Sequence, residues 1–403
     1  MARNASAEIR RRPKDRKAQI ARAAAEAFSE LGYHGVSMEA IAARVDISAA
    51  ALYRHYAGKY ELFRGAVLGL GRQLVDGTDG IDGIDGTADE DPRQQFDVLV
   101  GALVDVALAN RTSGGLYRWE GRYLDDADQA ELLAQIGAVH ERLHRPLARL
   151  RPGLTRRQYL TLSTAVLSVV GSIVDHRVKL PAASVRELLI ELAGAVAAVE
   201  LPGEPAPAES PAASPAPAPD PSTYEALLRE SLILFHRHGY RDTSMEDIAA
   251  AVGIPASGIY KYFSGKADIL AAVFRRASDR VSGGLAAVVA SAADPHEALS
   301  GVIDSYVART FDQPELEYVY YTERLNMSAA DQRIVHDLQR SVVESWVELV
   351  VAVRPQWSRA QARFAVHAAM ALVIDLGRLQ RYPDTEQARA VVRRLVEAVL
   401  LGD

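Results

Sequence analysis

The chain has 403 residues, of which 49% are hydrophobic and 24% charged, with a formal net charge of −6 and no cysteine. That balance belongs to a globular protein with a sizeable core, and the length suits two or three domains. The lack of cysteine excludes disulfide scaffolds, Cys-ligated zinc, iron–sulfur clusters and thiol catalysis, and it suits a reducing compartment.

The average charge hides an uneven distribution. Residues 1–22 hold eight basic and two acidic side chains, so this stretch carries +6 and the remainder −12. A basic arm, residues 1–17, thus precedes an acidic body; such arms contact nucleic acid or stay solvated tails. No apolar stretch follows the first residues, so no secretory signal is visible and a cytoplasmic location is expected.

An Ala-rich helix comes next, with apolar residues at Ile20, Ala24, Ala27, Phe28 and Leu31 and Gly32 as its C-cap. Ser37 caps a helix over 38–45 that carries Ile41, Ala42 and Val45 on one face. Three residues, Asp46-Ile47-Ser48, lead into a second short helix over Ala49–Tyr56. Two short helices joined by a tight turn form a helix-turn-helix. Asp46 falls where a left-handed residue is needed, a conformation that Asp tolerates less well than Gly. Lys59 opens the following helix. A loop at 76–91 then holds seven acids and no base, without the ligand order or closing Glu of a calcium loop. Further helices are predicted at about 95–110, 129–144, 156–178 and 184–199. The longest apolar run, Leu160 to Val174, contains several Ser and Thr and ends at Asp175-His176-Arg177, too short and polar to span a bilayer; no membrane partner is expected.

One motif in this half invites a metalloprotease reading. His140-Glu141-Arg142-Leu143-His144 matches H-E-x-x-H, which on a helix puts two histidines on one face for zinc. No third ligand follows, and Pro146 is expected to interrupt the helix just after. A packing face is the preferred reading. No metal, no cofactor and no enzyme activity are expected.

Residues 202–221 contain eight prolines and six alanines. Such a segment favours extended polyproline II and could reach roughly 60 Å as a semi-rigid spacer. Its flanks are copies of one another. Phe28–Phe63 aligns with Phe235–Leu270 at an offset of 207, with 15 identities in 36 positions, and the copying continues at an offset of 203, where Glu120 matches Glu323 and Gln158 matches Gln361. The counterparts of His140 and His144 in the second copy are Val343 and Val347, which favours the packing face. Gly253 stands where Asp46 does. Helices at about 297–311, 332–350, 359–381 and 385–400 complete the second copy. The fold class is all-α, in two tandem units, each a helix-turn-helix domain (18–70 and 222–275) followed by a larger helical domain (71–201 and 276–403).

The second helix of each motif would lie in a DNA major groove. In the first copy it offers Ala49, Ala50, Tyr53, Arg54 and His55; in the second, Ala256, Ser257, Gly258, Tyr260, Lys261 and Tyr262. Small residues allow close approach to base edges, and tyrosine hydroxyls reach phosphates. Ser37, Ser48, Lys59, Ser244 and Lys266 stand at helix starts, where N–H groups and cations suit phosphate. Arg11, Arg12 and Lys14 of the arm would reach phosphates or a minor groove. Tyr56 and Phe263 are expected in the core.

The frame Gly-Tyr-x-x-x-Ser-Met-x-x-Ile-Ala-x-x-Val-x-Ile, followed by Leu/Ile-Tyr-Arg/Lys-His/Tyr-Tyr/Phe-x-x-Lys, occurs twice and resembles the TetR family of bacterial transcription regulators. Arg11-Arg12-Pro13-Lys14-Asp15-Arg16-Lys17 and Ala51-Leu52-Tyr53-Arg54-His55-Tyr56 resemble in particular the actinobacterial tandem TetR regulators of lipid and sterol metabolism. Asp46 and Tyr56 depart from the usual Gly and Phe. The resemblance implies a regulator, most simply a repressor, that leaves a double-stranded DNA operator when a small apolar or lipid-like effector enters the C-terminal domain. Tyr117, Trp119, Glu120 and Tyr123, with Tyr318, Tyr321 and Glu323, are candidate pocket walls; ordinary core packing explains them equally well. The resemblance also implies pairing through the last two helices of each half. One chain owns four such helices, so it forms either an intramolecular pseudo-dimer, which the linker favours, or a homodimer. A single DNA-reading head, with the other half sensing ligand or mediating assembly, is the alternative.

Overall fold

The computed structural model describes residues 13–81, 91–201, 222–383 and 385–402. Arg11 and Arg12, the centre of the acidic loop and the proline-rich segment lie outside the described residues. Among those described, the chain is helical and has no strand. The first copy contains α1 (Pro13–Gly35), α2 (Met38–Arg44), α3 (Ala49–Tyr53), α4 (Lys59–Gly77), α5 (Pro92–Ala109), α6 (Leu116–Trp119), α7 (Asp126–Leu150), α8 (Arg156–Gly171) and α9 (Ala182–Ala198). The second contains α10 (Thr223–Asp242), α11 (Met245–Val252), α12 (Ala256–Ile259), α13 (Lys266–Ser291), α14 (Pro295–Asp312), α15 (Pro314–Glu323), α16 (Ala329–Val353), α17 (Arg359–Gln380) and α18 (Glu386–Leu400). No described helix is long and apolar enough to cross a membrane.

The chain divides into two units. One comprises residues up to Gly77 together with Asn110–Val139; the other comprises Thr78–Ala109 and His140 onwards. The first unit closes around Ile20, Phe28, Ile41, Leu52, Phe63 and Val67, with Leu116 and Leu124 completing the core. The second unit holds the corresponding cluster of the second copy, with Phe235, Ile248, Ile259, Leu270, Phe274 and Val319. In this second unit α8 packs on α17, and each is flanked by its successor, α9 and α18. Small buried residues recur in both helices, Ala165 and Ser168 in α8 and Ala365, Ala368 and Ala371 in α17, and such residues permit close approach. Leu162, Val166, Val169, Leu372 and Leu376 are buried in the same two helices.

Three expectations are corrected. The second helix of the first motif stops at Tyr53 and not at Tyr56, because the N–H groups of Arg54 and His55 turn back to the carbonyls of Ala51 and Leu52, three residues earlier. That turn carries Tyr56 inward, where it is 9% exposed. Pro146 does not interrupt its helix: α7 runs through it to Leu150. Proline removes one N–H, and its buried position lets packing override that loss. The helix expected over 156–178 closes at Gly171 and gives way to a 3₁₀ turn over Ser172–Val174.

Both motif turns are left-handed. Gly253 takes φ 77° and Asp46 takes φ 53°. Asp46 bears a Cβ that glycine lacks, so Asp46→Gly should stabilise the protein by about 0.5–1 kcal/mol and Gly253→Ala should destabilise it by about 1 kcal/mol. Thermal unfolding of both variants, read by far-UV circular dichroism, measures the pair.

Candidate nucleic-acid interface

The two motifs are built alike. Each first helix is broken by a positive-φ glycine, Gly32 at 69° and Gly239 at 81°. The break turns the chain towards a serine cap: Ser37 Oγ accepts from Ala40 N at 3.1 Å, and Ser244 Oγ from Asp247 N at 3.0 Å. In the second copy Asp247 also accepts from Ser244 N at 2.8 Å, and the Ser244 hydrogen bonds hold its carboxyl below the ordinary range. Ser48 caps α3 by accepting from Ala51 N at 3.1 Å. Arg16 on α1 donates to the Val45 carbonyl at 3.0 Å, which braces the motif turn.

This frame presents one face of α3 and of α12 outward. Leu52 and Ile259 are fully buried, whereas Tyr53 is 52% exposed and Tyr260 54% exposed. Ala50, Arg54 and His55 are exposed beside Tyr53, with Ala49 half-buried. Ala256, Ser257, Lys261 and Tyr262 are exposed beside Tyr260, with Gly258 half-buried. Lys14 belongs to α1. The predicted recognition residues of each copy are thus brought together on one surface, the second copy richer in hydroxyls and the first in small apolar groups. Tyr56 and Phe263 lie in the cores.

The two lysines are engaged inward. Lys59 Nζ donates to the Val36 carbonyl at 3.1 Å and stands 4.5 Å from the centre of the Tyr33 ring. Lys266 Nζ donates to the Tyr240 and Arg241 carbonyls at 2.6 and 3.1 Å and stands 4.6 Å from the Tyr240 ring. Burial lowers the Lys266 ammonium from its ordinary value, against the opposing pull of Asp242 and Glu323. Both lysines therefore staple the turn after the broken helix.

The repeated glutamates reach the same turn. Glu120, 8% exposed, accepts from Tyr33 N at 2.8 Å. Glu323, 4% exposed, accepts from Asn326 Nδ2 at 2.9 Å, and its charge raises Tyr240 further after burial has done so. Tyr123 stacks on Tyr33 at 5.3 Å, Tyr117 packs on the first core, and Trp119 is buried with Arg118 5.3 Å from its ring. Tyr318 meets His236 edge-on at 4.9 Å, and Tyr321 meets Tyr320 at 5.3 Å. The candidate pocket walls thus bind the motif to the helices behind it.

A group that the sequence reading missed lies deeper in the second copy. Tyr306 on α14 and Glu317 on α15 influence one another, and burial raises the Glu317 carboxyl against the opposing pull of Arg309 and Tyr306. The positions of Tyr306, Arg309 and Glu317 in the first copy are Leu103, Val106 and Gly114, so no repeat signalled them. The histidines of the H-E-x-x-H motif part company: His140 Nδ1 bonds Ser163 Oγ at 2.8 Å, while His144 meets the Tyr159 ring at 4.5 Å.

Two helix-turn-helix frames, each with an exposed aromatic beside a short second helix, define a DNA-binding class of fold. Residues 20–66 and 227–273 both match the family of bacterial regulatory proteins designated tetR, so the chain carries this family's domain twice, in tandem. It is 38% identical over 132 residues to the HTH-type transcriptional activator FasR of Mycolicibacterium smegmatis, a match that covers 32% of this chain and 57% of that relative. Solved structures similar to it include the ketosteroid transcriptional regulator KstR2 of Mycobacterium tuberculosis, with 20% identity, 45% of this chain, 95% of that one and a TM-score of 0.40. The fatty acid degradation regulator FadR of Bacillus halodurans shows 18% identity, 45% and 97% coverage and a TM-score of 0.40.

A carboxyl raised by burial binds its proton more tightly in the folded state, so stability falls as pH rises through its titration. Glu317→Gln should therefore raise the melting temperature at pH 7–8, with the gain vanishing near pH 4, where the native carboxyl is protonated. Melting curves of both proteins across that range check the sign.

Proposed function

We propose that this chain is a sequence-specific DNA-binding transcription regulator, working in the compartment that holds the DNA, with two unequal reading heads in one polypeptide. The observation that carries the reading is the pair of exposed tyrosines, Tyr53 and Tyr260, each one residue from a fully buried Leu52 or Ile259 on the second helix of its motif. A side chain so exposed contributes little to the core, and its hydroxyl suits a phosphate. The faces differ in chemistry, so the operator is a composite or imperfect palindrome.

The packing of α8 and α9 against α17 and α18 supports an internal pseudo-dimer, with the proline-rich segment joining its halves. An apolar effector fits the helical domains, and Glu317 and Tyr306 give the second one a polar group to receive it. Binding acts by population shift: an effector that favours a state poorly matched to DNA lowers operator affinity. Release on binding makes repression the simplest outcome. The M. smegmatis relative bears the name of an activator, so a promoter fused to a reporter, assayed with and without this gene, measures the sign.

A footprint on DNA upstream of this gene tests the reading, and fluorescence anisotropy then tests the heads. Tyr53→Phe and Tyr260→Phe should each weaken operator binding several-fold to roughly tenfold with melting temperature unchanged. A loss from one variant alone would favour the single-head alternative. Removing residues 1–12 should flatten the plot of log K against log salt by about 0.9 for each phosphate that the arm neutralises.

A further inference from the structure

The contact between α8 and α17 joins different halves of a duplicated sequence, and its polar members are not duplicated. Ser168 Oγ donates to Asp375 Oδ2 at 2.7 Å, with Ser168 only 2% exposed. At the offset of 203 the symmetry-related positions are Ser172 and Ala371, both buried, and Ser172 Oγ donates to its own helix, to Val169 O at 2.7 Å. Near one end His176 stacks on His367 at 4.3 Å and meets Phe364 edge-on at 4.4 Å. The related positions are Leu379, Thr164 and Thr161. Further out Arg354 pairs with Glu191 at 3.3 Å, where the related pair is Arg151 and Arg394.

We infer that this surface is built to accept the other half of the chain and to reject a second copy of itself. The inference rests on the internal pairing proposed above and deepens it. In a pairing of α17 with α17 of another chain, each Asp375 would face Ala371 and be deprived of the Ser168 hydroxyl. The same pairing would set Arg354 against Arg394. The loss of this hydrogen bond in a closely packed seam, twice per interface, together with two pairs of like charges, weighs against that dimer. Selection against wrong partners by lost hydrogen bonds and like charges is specificity by repulsion as well as by attraction. The occupant of each face is therefore fixed as the opposite copy, and the linker supplies it at high effective concentration.

The test exchanges the polar pair in the full-length protein. Ser168→Asp sets two carboxylates against each other and should lower the melting temperature strongly. Asp375→Ser added to it restores a hydroxyl–carboxylate pair with the partners reversed and should recover most of that loss. The milder Ser168→Ala removes this hydroxyl and should lower the folded-to-unfolded ratio roughly tenfold, and by clearly less when made in an Asp375→Ala background. Sedimentation equilibrium of the wild type should give one 43.7 kDa chain. A two-chain wild type that still shows the rescue would overturn internal pairing and keep the selective surface. A one-chain wild type without rescue in either cycle would sink the selective surface and leave internal pairing standing.

Discussion

Each head depends on a single turn of backbone, the one that follows a positive-φ glycine at the end of a long helix. Breaking the helix there exposes peptide groups that must find partners. The following N–H in the first copy goes to the buried Glu120, and a neighbouring carbonyl goes to Lys59. In the second copy Lys266 takes two such carbonyls. A tyrosine ring fills the space beneath each ammonium. Glycine, tyrosine, lysine and glutamate are therefore one device spread over about ninety positions of sequence. It sets the direction in which the second motif helix points, and so which side chains are offered to a groove.

Duplication kept that device and relaxed much else. The second copy closes its motif with a reciprocal Ser244–Asp247 cap and a left-handed glycine, while the first uses a lone serine and Asp46. The same joint between the motif and the bundle is closed by arginines from different turns. Arg64 reaches Asp128 in one copy, and Arg275 reaches Asp331 at 3.0 Å in the other. Asp128 and Asp331 are equivalent at the offset of 203, whereas Arg64 and Arg275 are not equivalent at 207. The geometry of the joint is thus held more tightly than the residue that makes it.

The motif frame is legible in the sequence because its signals are local. Serine caps, a left-handed turn position and the helical spacing of Ile41, Ala42 and Val45 follow from short-range rules. Most helix extents follow from periodicity within a few residues. What escapes is set by distant partners. Nothing in the spacing of Lys59 says whether its ammonium meets solvent or the Val36 carbonyl 23 residues earlier. Pro146 reads as a breaker until the burial of its ring is known. Glu317 looks like one of several surface acids at the start of a helix, and only packing against α14 gives it Tyr306 and a raised affinity for its proton. The aromatics around Glu120 and Glu323 stand out as a cluster, but their position against the motif cores belongs to the fold.

If the Tyr306–Glu317 pair receives the effector, as proposed, its confinement to the second copy alters how such a protein would respond to concentration. A symmetric dimer with two equal pockets can answer an effector with a sigmoidal curve, because each occupied pocket biases the other. A chain with one polar pocket for two heads has no second equivalent site through which to sharpen its response. Its occupancy would follow a simple hyperbola, spread over nearly two decades of effector between a tenth and nine tenths saturation. Fusion of two regulators into one chain would then trade a switch for a dial.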